Sequence, residues 1–272
     1  MSVVIAALVV YFLFPLWWLV VASTKSNSGL FTGNPMWFGE LHLAENLAQL
    51  GTYSGGIFWR WMGNSLFYGI VGGAGATALA LAAGYGFAKF RFRGNSAMFD
   101  AVVGAIMIPN TALVIPLFVL FSAVGLVNTR WAVIIPSLLT VFGVYLMKIA
   151  AEDTIPDELL DAARIDGAGE LTIFWRIAVP MLRPSIVTVF LLSAVGCWNN
   201  FFLPLVMLRS QDLLPITVGL TNWQAHSNAG AGNEQVWNLI ASGALVSVLP
   251  LVVLFIWLQR YWQSGVALGS DR

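Results

Sequence analysis

Five polar or aromatic side chains interrupt the apolar stretches of this 272-residue chain. An asparagine amide both donates and accepts hydrogen bonds, and a neighbouring tryptophan ring adds a flat apolar face. Together these groups suit a sugar or another polyol that carries many hydroxyl groups. Hydrogen bonding between helices is the alternative use of each asparagine. The candidate residues for a solute pathway are Asn64, Asn110, Trp198, Asn199 and Asn200.

Ionisable residues are nearly absent from the same stretches, and only Asp100 lies at the edge of one. Ion-coupled carriers usually keep buried ionisable residues, and an anion pathway would favour Lys or Arg. We therefore expect a path for a neutral polar solute that is powered from outside this chain. A self-powered secondary carrier is one alternative. A membrane enzyme is another, although no Ser/His/Asp set or carboxylate pair lies within the apolar stretches.

The composition indicates a membrane protein. Hydrophobic residues make up 58% of the chain and charged residues 10%, against roughly 25% charged in a soluble domain. The mean hydropathy is +0.80. A net charge of zero gives no indication of nucleic-acid binding. A single cysteine cannot form a disulfide within the chain. The chain has only two histidines, far apart in the sequence, and they do not indicate a metal site.

Charge-free windows of about 20 residues predict an all-α protein with six transmembrane helices in one domain, residues 1–272. The first window is too long for a cleaved signal peptide and lacks its basic region, so we expect it to be retained. A further charge-free window, Leu213–Asn233, is rich in polar residues and is expected to be a loop. The six predicted spans are Val3–Ala22, Met62–Ala88, Ala101–Ala123, Trp131–Met147, Pro184–Leu208 and Val236–Gln259.

The distribution of Lys and Arg predicts that both termini are cytoplasmic, because cytoplasmic loops carry an excess of these residues. This orientation places nine basic residues inside and four outside. The inside residues are Lys89, Arg91, Arg93, Lys148, Arg164, Arg176, Arg183, Arg260 and Arg272. The outside residues are Lys25, Arg60, Arg130 and Arg209.

Small residues form two rows along the second predicted span. Small residues four positions apart let helices approach closely in lipid. Packing within the chain and contact with a second membrane subunit are both compatible with this pattern. Prolines in several spans, Pro109 and Pro116 among them, predict bends. The first row is Gly69, Gly73, Ala76, Ala80 and Gly84, and the second is Ala74, Ala78, Ala82 and Gly86.

A charged segment, Glu158–Pro180, separates the fourth and fifth spans, and we call it the charged island. Pro156 and the two acidic residues after it favour the start of a helix. Gly167 and Gly169 are expected to end that helix. A second short helix is predicted over Leu171–Ile177, before the proline that closes the island. A short amphipathic helix pair suits docking into a groove of a partner protein.

The island resembles the "EAA…G…I-x-L-P" loop of the membrane permease subunit of binding-protein-dependent ABC importers. Asp161-Ala162-Ala163, Gly167 and Ile177-Ala178-Val179-Pro180 keep the spacing of that loop. Asp161 stands where the loop has Glu, so an ion pair with the ATPase would need a closer approach. The segments "MIPNTALVIPLFVLFSAVGLVNT", "WNNFFLPLVML", "LLPITVGL" and "LQRYWQSGV" resemble the sugar-importer branch, which includes the maltose permeases.

This resemblance covers about Met62 to Val266 and includes the shorter of the two maltose permease subunits. It implies a carbohydrate-uptake permease in the bacterial cytoplasmic (inner) membrane, with helix 1 at 3–22, a core over 62–266 and a cytoplasmic coupling loop at 151–183. ATP and Mg would bind two separate ATPase subunits, because this chain has no GxxxxGK[ST] phosphate loop. A second homologous permease subunit, forming a heterodimer, and an extracellular solute-binding protein complete the expected partners. The expected solute is a neutral di- or oligosaccharide, with a phosphorylated polyol such as glycerol-3-phosphate or a glycerophosphodiester as the alternative.

The resemblance also implies two sets of contact residues. The outer loop Arg209–Gln235 would meet the solute-binding protein, with a Gly-Ala-Gly run as its flexible tip. The residues of this loop are Thr221, Asn222, Gly230 and Gly232. The residues implied in ATPase coupling are Asp161, Ala162, Ala163, Asp166, Gly167, Glu170, Leu171, Phe174, Ile177 and Pro180.

Overall fold

The computed structural model describes residues 2–39, 41–229 and 234–267, with side chains to residue 259. All regular elements of these residues are helices, as predicted. In chain order the α-helices are α1 Ser2–Ser23, α2 Leu43–Thr52, α3 Ile57–Lys89, α4 Asn95–Gly104, α5 Asn110–Ala123, α6 Trp131–Ser137, α7 Val141–Thr154, α8 Asp157–Ile165, α9 Glu170–Ile173, α10 Val179–Met181, α11 Arg183–Trp198, α12 Phe202–Met207, α13 Ile216–Asn228 and α14 Trp237–Ala267. Short 3₁₀ turns cover Tyr53–Gly56, Ala105–Met107 and Gln211–Leu213, and a π-helical turn covers Phe174–Ala178.

Within the described residues, four helical segments are long and apolar enough to cross a membrane. Two bent helix pairs raise the number to six if each pair forms one span. The four segments are Ser2–Ser23, Leu43–Lys89, Trp131–Thr154 and Trp237–Gln259. The bent pairs are Asn95–Met107 with Asn110–Ala123, and Glu170–Met181 with Arg183–Trp198.

The third and fifth predicted spans are broken helices rather than continuous ones. The third starts earlier than predicted, at Asn95, and bends by 100° before Asn110. Pro109 lies at this break in an extended conformation, consistent with its missing N–H and fixed φ. In the fifth, α11 ends at Trp198, and residues 199–201 separate it from α12. The fourth span extends to Thr154, with a short break between α6 and α7.

The chain packs as two compact units, and the single domain expected from the sequence stays a prediction. Unit 1 comprises residues 1–65 and 210–252, and unit 2 comprises residues 66–209 and 253–272. A buried amide network joins the helices of unit 1. The Asn46 Nδ2 atom donates to the carbonyl oxygens of Ser23 and Lys25, at 2.9 Å each. The Asn238 amide donates to Asn46 Oδ1 at 2.8 Å.

The loop predicted over Leu213–Asn233, and within the outer loop Arg209–Gln235, is wrong, because helix α13 occupies most of this stretch. Ile216, Trp223 and Ser227 of α13 are buried, and their spacing follows a helical face. The Trp223 ring lies 5.0 Å from the Trp61 ring of α3. The polar residues of α13 occupy its other faces, so their abundance resembles loop composition, whereas the 3.6-residue periodicity indicates a helix. Gly230 and Gly232 lie outside the described residues.

In unit 2, the first row of small residues on α3 packs inside the chain. Ala76 and Ala80 are fully buried. A methyl group at Gly84 would lie 2.5 Å from Met147 Cβ of α7. Ala74, Ala78 and Ala82 of the second row are exposed. The structure therefore assigns the first row to packing between helices of this chain.

Candidate functional site

The first helix of the charged island, α8, has the predicted boundaries. It follows Pro156 and ends at Ile165. Gly167 then adopts a left-handed conformation with φ of +85°. Its N–H donates to the Arg164 carbonyl at 3.0 Å, and the Ala168 N–H donates to the Ala163 carbonyl at 2.9 Å. The bend predicted at Gly167 is confirmed, and it is of the kind that favours glycine.

The second helical segment of the island is longer than predicted. It begins at Glu170, continues through the π-helical turn Phe174–Ala178, and ends at Met181. Pro180 therefore does not end it. This proline lies in the first turn of α10, where a missing N–H is tolerated. The segment then meets α11 at an angle of 78°.

Arg164 joins the two helical segments of the island, a role that the sequence did not reveal. Its Nη1 atom lies 2.8 Å from Asp161 Oδ1 on α8. Its Nε atom lies 2.7 Å from Glu170 Oε1 on α9. The hydrogen bonds to Glu170 and then to Asp161 raise the pKa of the guanidinium above its usual value. Asp161 and Glu170, both expected to serve coupling, are thus held together by one cation.

One side of the island is part of the core of unit 2. Leu160, Ile173 and Ala178 are buried in one cluster with Met147 of α7 and Val189 of α11. That cluster also includes side chains of α3. The buried side of the island is therefore packed directly against three long helices.

Two residues implied in coupling lie on this packed side. The Phe174 ring is 5.2 Å from the Tyr85 ring of α3. Ile177 packs against the same buried cluster. Phe174 and Ile177 therefore pack the island against helices of this chain and do not form a surface for a partner.

The opposite side of the island exposes large apolar side chains. Leu171 is 77% exposed, Trp175 63% and Ile165 86%. Leu171 belongs to the predicted set, whereas Ile165 and Trp175 do not. The spacing of Leu171 and Trp175, four residues apart, places them on one helical face. This face of the island therefore combines large exposed apolar side chains with charged neighbours.

Lys89, at the end of α3, binds the residues that directly precede the island. Its Nζ atom donates to the Ile155 carbonyl at 2.6 Å and to Asp157 Oδ1 at 2.7 Å. Only 5% of the Lys89 side chain is exposed. The hydrogen bond and the positive charge of Lys89 hold the pKa of the Asp157 carboxyl below its usual value. The island is thus tied to α3 just before its first residue and by its buried face.

A second feature of unit 2 is a cleft of about 940 Å³. Its walls come from α5, from the stretch 135–143 that includes the α6–α7 break, and from α11 and α12. Asn110 and Asn200 both line it, together with the hydroxyl groups of Thr140 and Ser193. Among the residues that the structure describes, the lining contains no Asp, Glu, Lys or Arg. The cleft is therefore an uncharged, mostly apolar surface with a few hydrogen-bonding groups.

The other three pathway candidates do not line this cleft. Asn64 is buried in unit 1, where its amide donates to the carbonyl oxygens of Asp212 at 2.7 Å and Leu214 at 3.1 Å. Trp198 is buried, and Asn199 is exposed just after the end of α11. After the end of α11, the Asn199 side chain is exposed, whereas the Asn200 side chain lines the cleft. The sequence alone does not distinguish these two adjacent asparagines.

Comparison with known proteins places the chain in one family. Residues 76–267 match the family described as binding-protein-dependent transport system inner membrane component. The chain is 35% identical to the arabinooligosaccharides transport system permease protein AraQ of Halalkalibacterium halodurans, over 94% of this chain and 90% of that protein. It is 30% identical to the lactose transport system permease protein LacG of Rhizobium radiobacter, over 95% and 90%.

A solved structure has the same fold. It is the crystal structure of a bacterial ABC transporter involved in the import of the acidic polysaccharide alginate. The TM-score is 0.82 at 22% identity, over 96% of this chain and 94% of that chain. The helices, their breaks and the family match lead to one conclusion. This chain belongs to the binding-protein-dependent transport system inner membrane components, multi-pass permeases of the inner membrane rather than enzymes.

Proposed function

We propose that this chain is a transmembrane subunit of an ATP-driven importer that passes a neutral di- or oligosaccharide from an extracellular solute-binding protein into the cytoplasm. The observation that carries the proposal is the two-sided island. Its exposed side offers Leu171 and Trp175 to a partner, while its buried side packs on three long helices. Such an element transmits a partner's movement to the membrane helices.

The solute class is supported by the relatives and by the cleft. The two curated relatives are named for arabinooligosaccharides and for lactose, which are uncharged sugars. The described residues that line the cleft carry amide and hydroxyl groups but no charged side chain. A phosphorylated polyol would leave its anionic group without a cationic partner there. The cleft therefore favours a neutral solute over the phosphorylated alternative.

The proposed orientation places both termini and the island in the cytoplasm. It rests on the excess of Lys and Arg in the segments assigned to the inside. Two contacts within unit 2 support the proposed alternation of spans. The inner segments around Lys89 and Asp157 contact each other. In the same unit, the outer segments are joined where the Asn128 N–H donates to the Met207 carbonyl at 2.8 Å.

The island is proposed to be the coupling element, with α9 seated in a groove of a nucleotide-binding subunit. ATP and Mg bind that subunit and a second copy, and ATP binding draws the two together. The movement reaches the island through its exposed apolar side. It then passes to α3, α7 and α11 through Tyr85, Met147 and Val189. Because this packing is dense, the helices follow as a block and the cleft changes its accessibility.

The remaining partners follow from the same family. A second homologous permease subunit would cover exposed apolar surface and complete a heterodimer. The outer residues Thr221 and Asn222 of α13, with Gly230 and Gly232, are proposed to face the solute-binding protein. Thr221 is exposed and Asn222 is half-buried, so α13 offers a helical surface for this contact.

The function is tested in proteoliposomes that contain this chain, its partner permease and the ATPase subunits. We expect uptake of lactose or arabinotriose only when the solute-binding protein is outside and ATP is supplied to the ATPase side. A non-hydrolysable ATP analogue should stop repeated turnover. Uptake without ATP would instead establish a secondary carrier. A solute-binding protein that prefers glycerol-3-phosphate over sugars would establish the phosphorylated alternative.

The asparagines of the cleft provide a separate prediction. Asn200→Ala is expected to lower uptake about tenfold, because it removes hydrogen bonds to the solute worth about 1.5 kcal/mol together. Asn199→Ala is the matched control, since the neighbouring side chain is exposed and does not line the cleft. Initial uptake rates at saturating solute-binding protein provide the measurement. Equal losses in the two variants would show that the cleft does not set the pathway.

A further inference from the structure

A short loop, residues 90–94, joins α3 to α4 and carries two arginines. Arg91 and Arg93 are both exposed. Among the residues that the structure describes, neither side chain donates a hydrogen bond or forms an ion pair. The Asp157 carboxylate acts on Arg91 electrostatically, but it accepts its hydrogen bond from Lys89. Both guanidinium groups are therefore open to an anion.

The backbone of this loop is held against the end of α3. The Asn95 side-chain amide donates to the carbonyl oxygens of Phe87 at 3.1 Å and Phe90 at 2.7 Å. The Phe90 ring lies 5.8 Å from the Tyr85 ring, and the Phe92 ring lies 6.2 Å from the Phe87 ring. Since the residues on both sides of Arg91 are anchored in this way, the two arginines are presented from a defined position.

The loop lies next to two apolar segments that are able to cross the membrane. One of them ends at Lys89, and the bent pair that forms the other begins at Asn95. Arg91 and Arg93 are each two residues from one of these ends, a backbone distance of at most ~7 Å at ~3.3 Å per residue. Met98, in the first turn of α4, is an apolar side chain that is 54% exposed. Long basic side chains at this depth extend to the headgroups of the lipids.

The chemistry of the loop favours an anionic headgroup. Residues 90–99 contain no Asp or Glu, and the next residue, Asp100, accepts a hydrogen bond from Ser96 at 3.4 Å. A guanidinium group matches the geometry of a phosphate with two parallel hydrogen bonds. A zwitterionic headgroup would bring its own cation next to the two arginines, whereas phosphatidylglycerol brings none. Phe90 and Phe92 are 39% and 43% exposed, which leaves apolar surface beside the arginines.

We propose that Arg91 and Arg93 bind the headgroup phosphate of one anionic phospholipid of the phosphatidylglycerol type. Phe90 and Phe92 contact the glycerol backbone and the first methylene groups of that lipid. In the proposed orientation the lipid belongs to the cytoplasmic leaflet, and only this choice of leaflet rests on the proposed function.

Photocrosslinking of the complete transporter in phosphatidylcholine nanodiscs tests the proposal. The probes are trace amounts of phosphatidylglycerol or phosphatidylcholine with a diazirine next to the phosphate, and mass spectrometry of the peptides locates the label. We expect about tenfold stronger labelling of residues 90–99 by the phosphatidylglycerol probe, because each arginine at an anionic surface contributes about a fivefold preference. Arg91→Gln/Arg93→Gln should remove this preference. Arg91→Lys/Arg93→Lys should keep most of it, because the positive charges remain.

Arg209→Gln is the matched control. This arginine is exposed and follows α12 in the segment assigned to the outside, so the variant removes a positive charge without changing the α3–α4 loop. Labelling of residues 90–99 should stay within twofold of the wild type. A loss equal to that of the double glutamine variant would show that the net charge of the chain, rather than this site, attracts the lipid.

Four further outcomes would overturn the inference. The first is equal labelling by the two probes, and the second is unchanged labelling of the double glutamine variant. The third is suppression of the label by millimolar inorganic phosphate, which would indicate a site for a free anion. The fourth is labelling that occurs only after the ATPase subunits are removed, which would make the loop part of a protein interface.

Sugar uptake by the same preparation in proteoliposomes separates this inference from the proposed function. Intact ATP-dependent uptake together with any of these outcomes would reject the lipid site and leave the importer standing. Selective labelling by phosphatidylglycerol without ATP-dependent uptake would reject the importer and leave the lipid site standing.

Discussion

Replacing Gly84 by alanine is expected to destabilise the chain by about 1–3 kcal/mol, the usual cost of overpacking a core. The added methyl would lie 2.5 Å from Met147 Cβ and 2.8 Å from the Lys148 nitrogen. The second of these atoms belongs to the backbone of α7, so no side-chain rotation relieves the contact. Helices α3 and α7 must therefore separate. The midpoint of thermal unfolding of the purified chain in detergent measures the loss.

Gly86→Ala is the matched control for this prediction. Gly86 lies on the same helix, and a methyl group there meets nothing within 4 Å. Alanine favours a helix over glycine by about 0.5–1 kcal/mol, so this variant should be as stable as the wild type or slightly more so. If both substitutions lowered the unfolding midpoint equally, the assignment of the first row to packing within the chain would be wrong.

Replacing Gly167 by valine is expected to uncouple ATP hydrolysis from transport. A β-branched residue at φ of +85° is strained by an amount on the order of 1–3 kcal/mol. The chain would relieve this strain by changing the connection between α8 and α9, which moves Arg164 away from Glu170. We expect ATPase activity of the assembled transporter to persist while sugar uptake in proteoliposomes falls at least tenfold.

Gly169→Val separates the conformation of the bend from the mere addition of a side chain. Gly169 has φ of −73° and ψ of 156°, a region that valine adopts readily. Neither glycine has an atom within 4 Å of an added Cβ. The two variants therefore differ chiefly in backbone strain, and Gly169→Val should transport normally. Normal uptake in Gly167→Val, with the assembled complex intact, would contradict a coupling role for the bend.

Much of this fold could be predicted because membrane insertion is a local property. A window of about 20 apolar residues is sufficient to indicate a span, so the predicted spans fall on helices of the structure. Pro109 and Gly167 mark a break and a bend because a missing N–H and a positive φ are properties of single residues. The charged island stands out for the same reason, since its composition differs from both neighbours.

Other features depend on contacts between residues far apart in the sequence. Lys89 and Asp157 are 68 positions apart, and their contact adds to the buried packing that holds the island against α3. Of five candidate pathway residues, the breaks in the helices bring Asn110 and Asn200 to one cleft and leave Asn64, Trp198 and Asn199 elsewhere. Composition alone favoured a loop at α13. The few apolar residues of its buried face hardly change the polar composition of the segment.

By itself, the sequence determined that this is a helical inner-membrane permease with a charged segment between apolar stretches. Hydropathy, charge and motif spacing are properties of short segments. They can therefore be evaluated from the sequence without knowing which segments are in contact. Only the tertiary structure decided which row of small residues is packed, that Arg164 joins the halves of the island, and which asparagines share a cleft. Those features depend on the angle and depth at which helices meet, and these follow from side-chain packing across the chain rather than from any one segment.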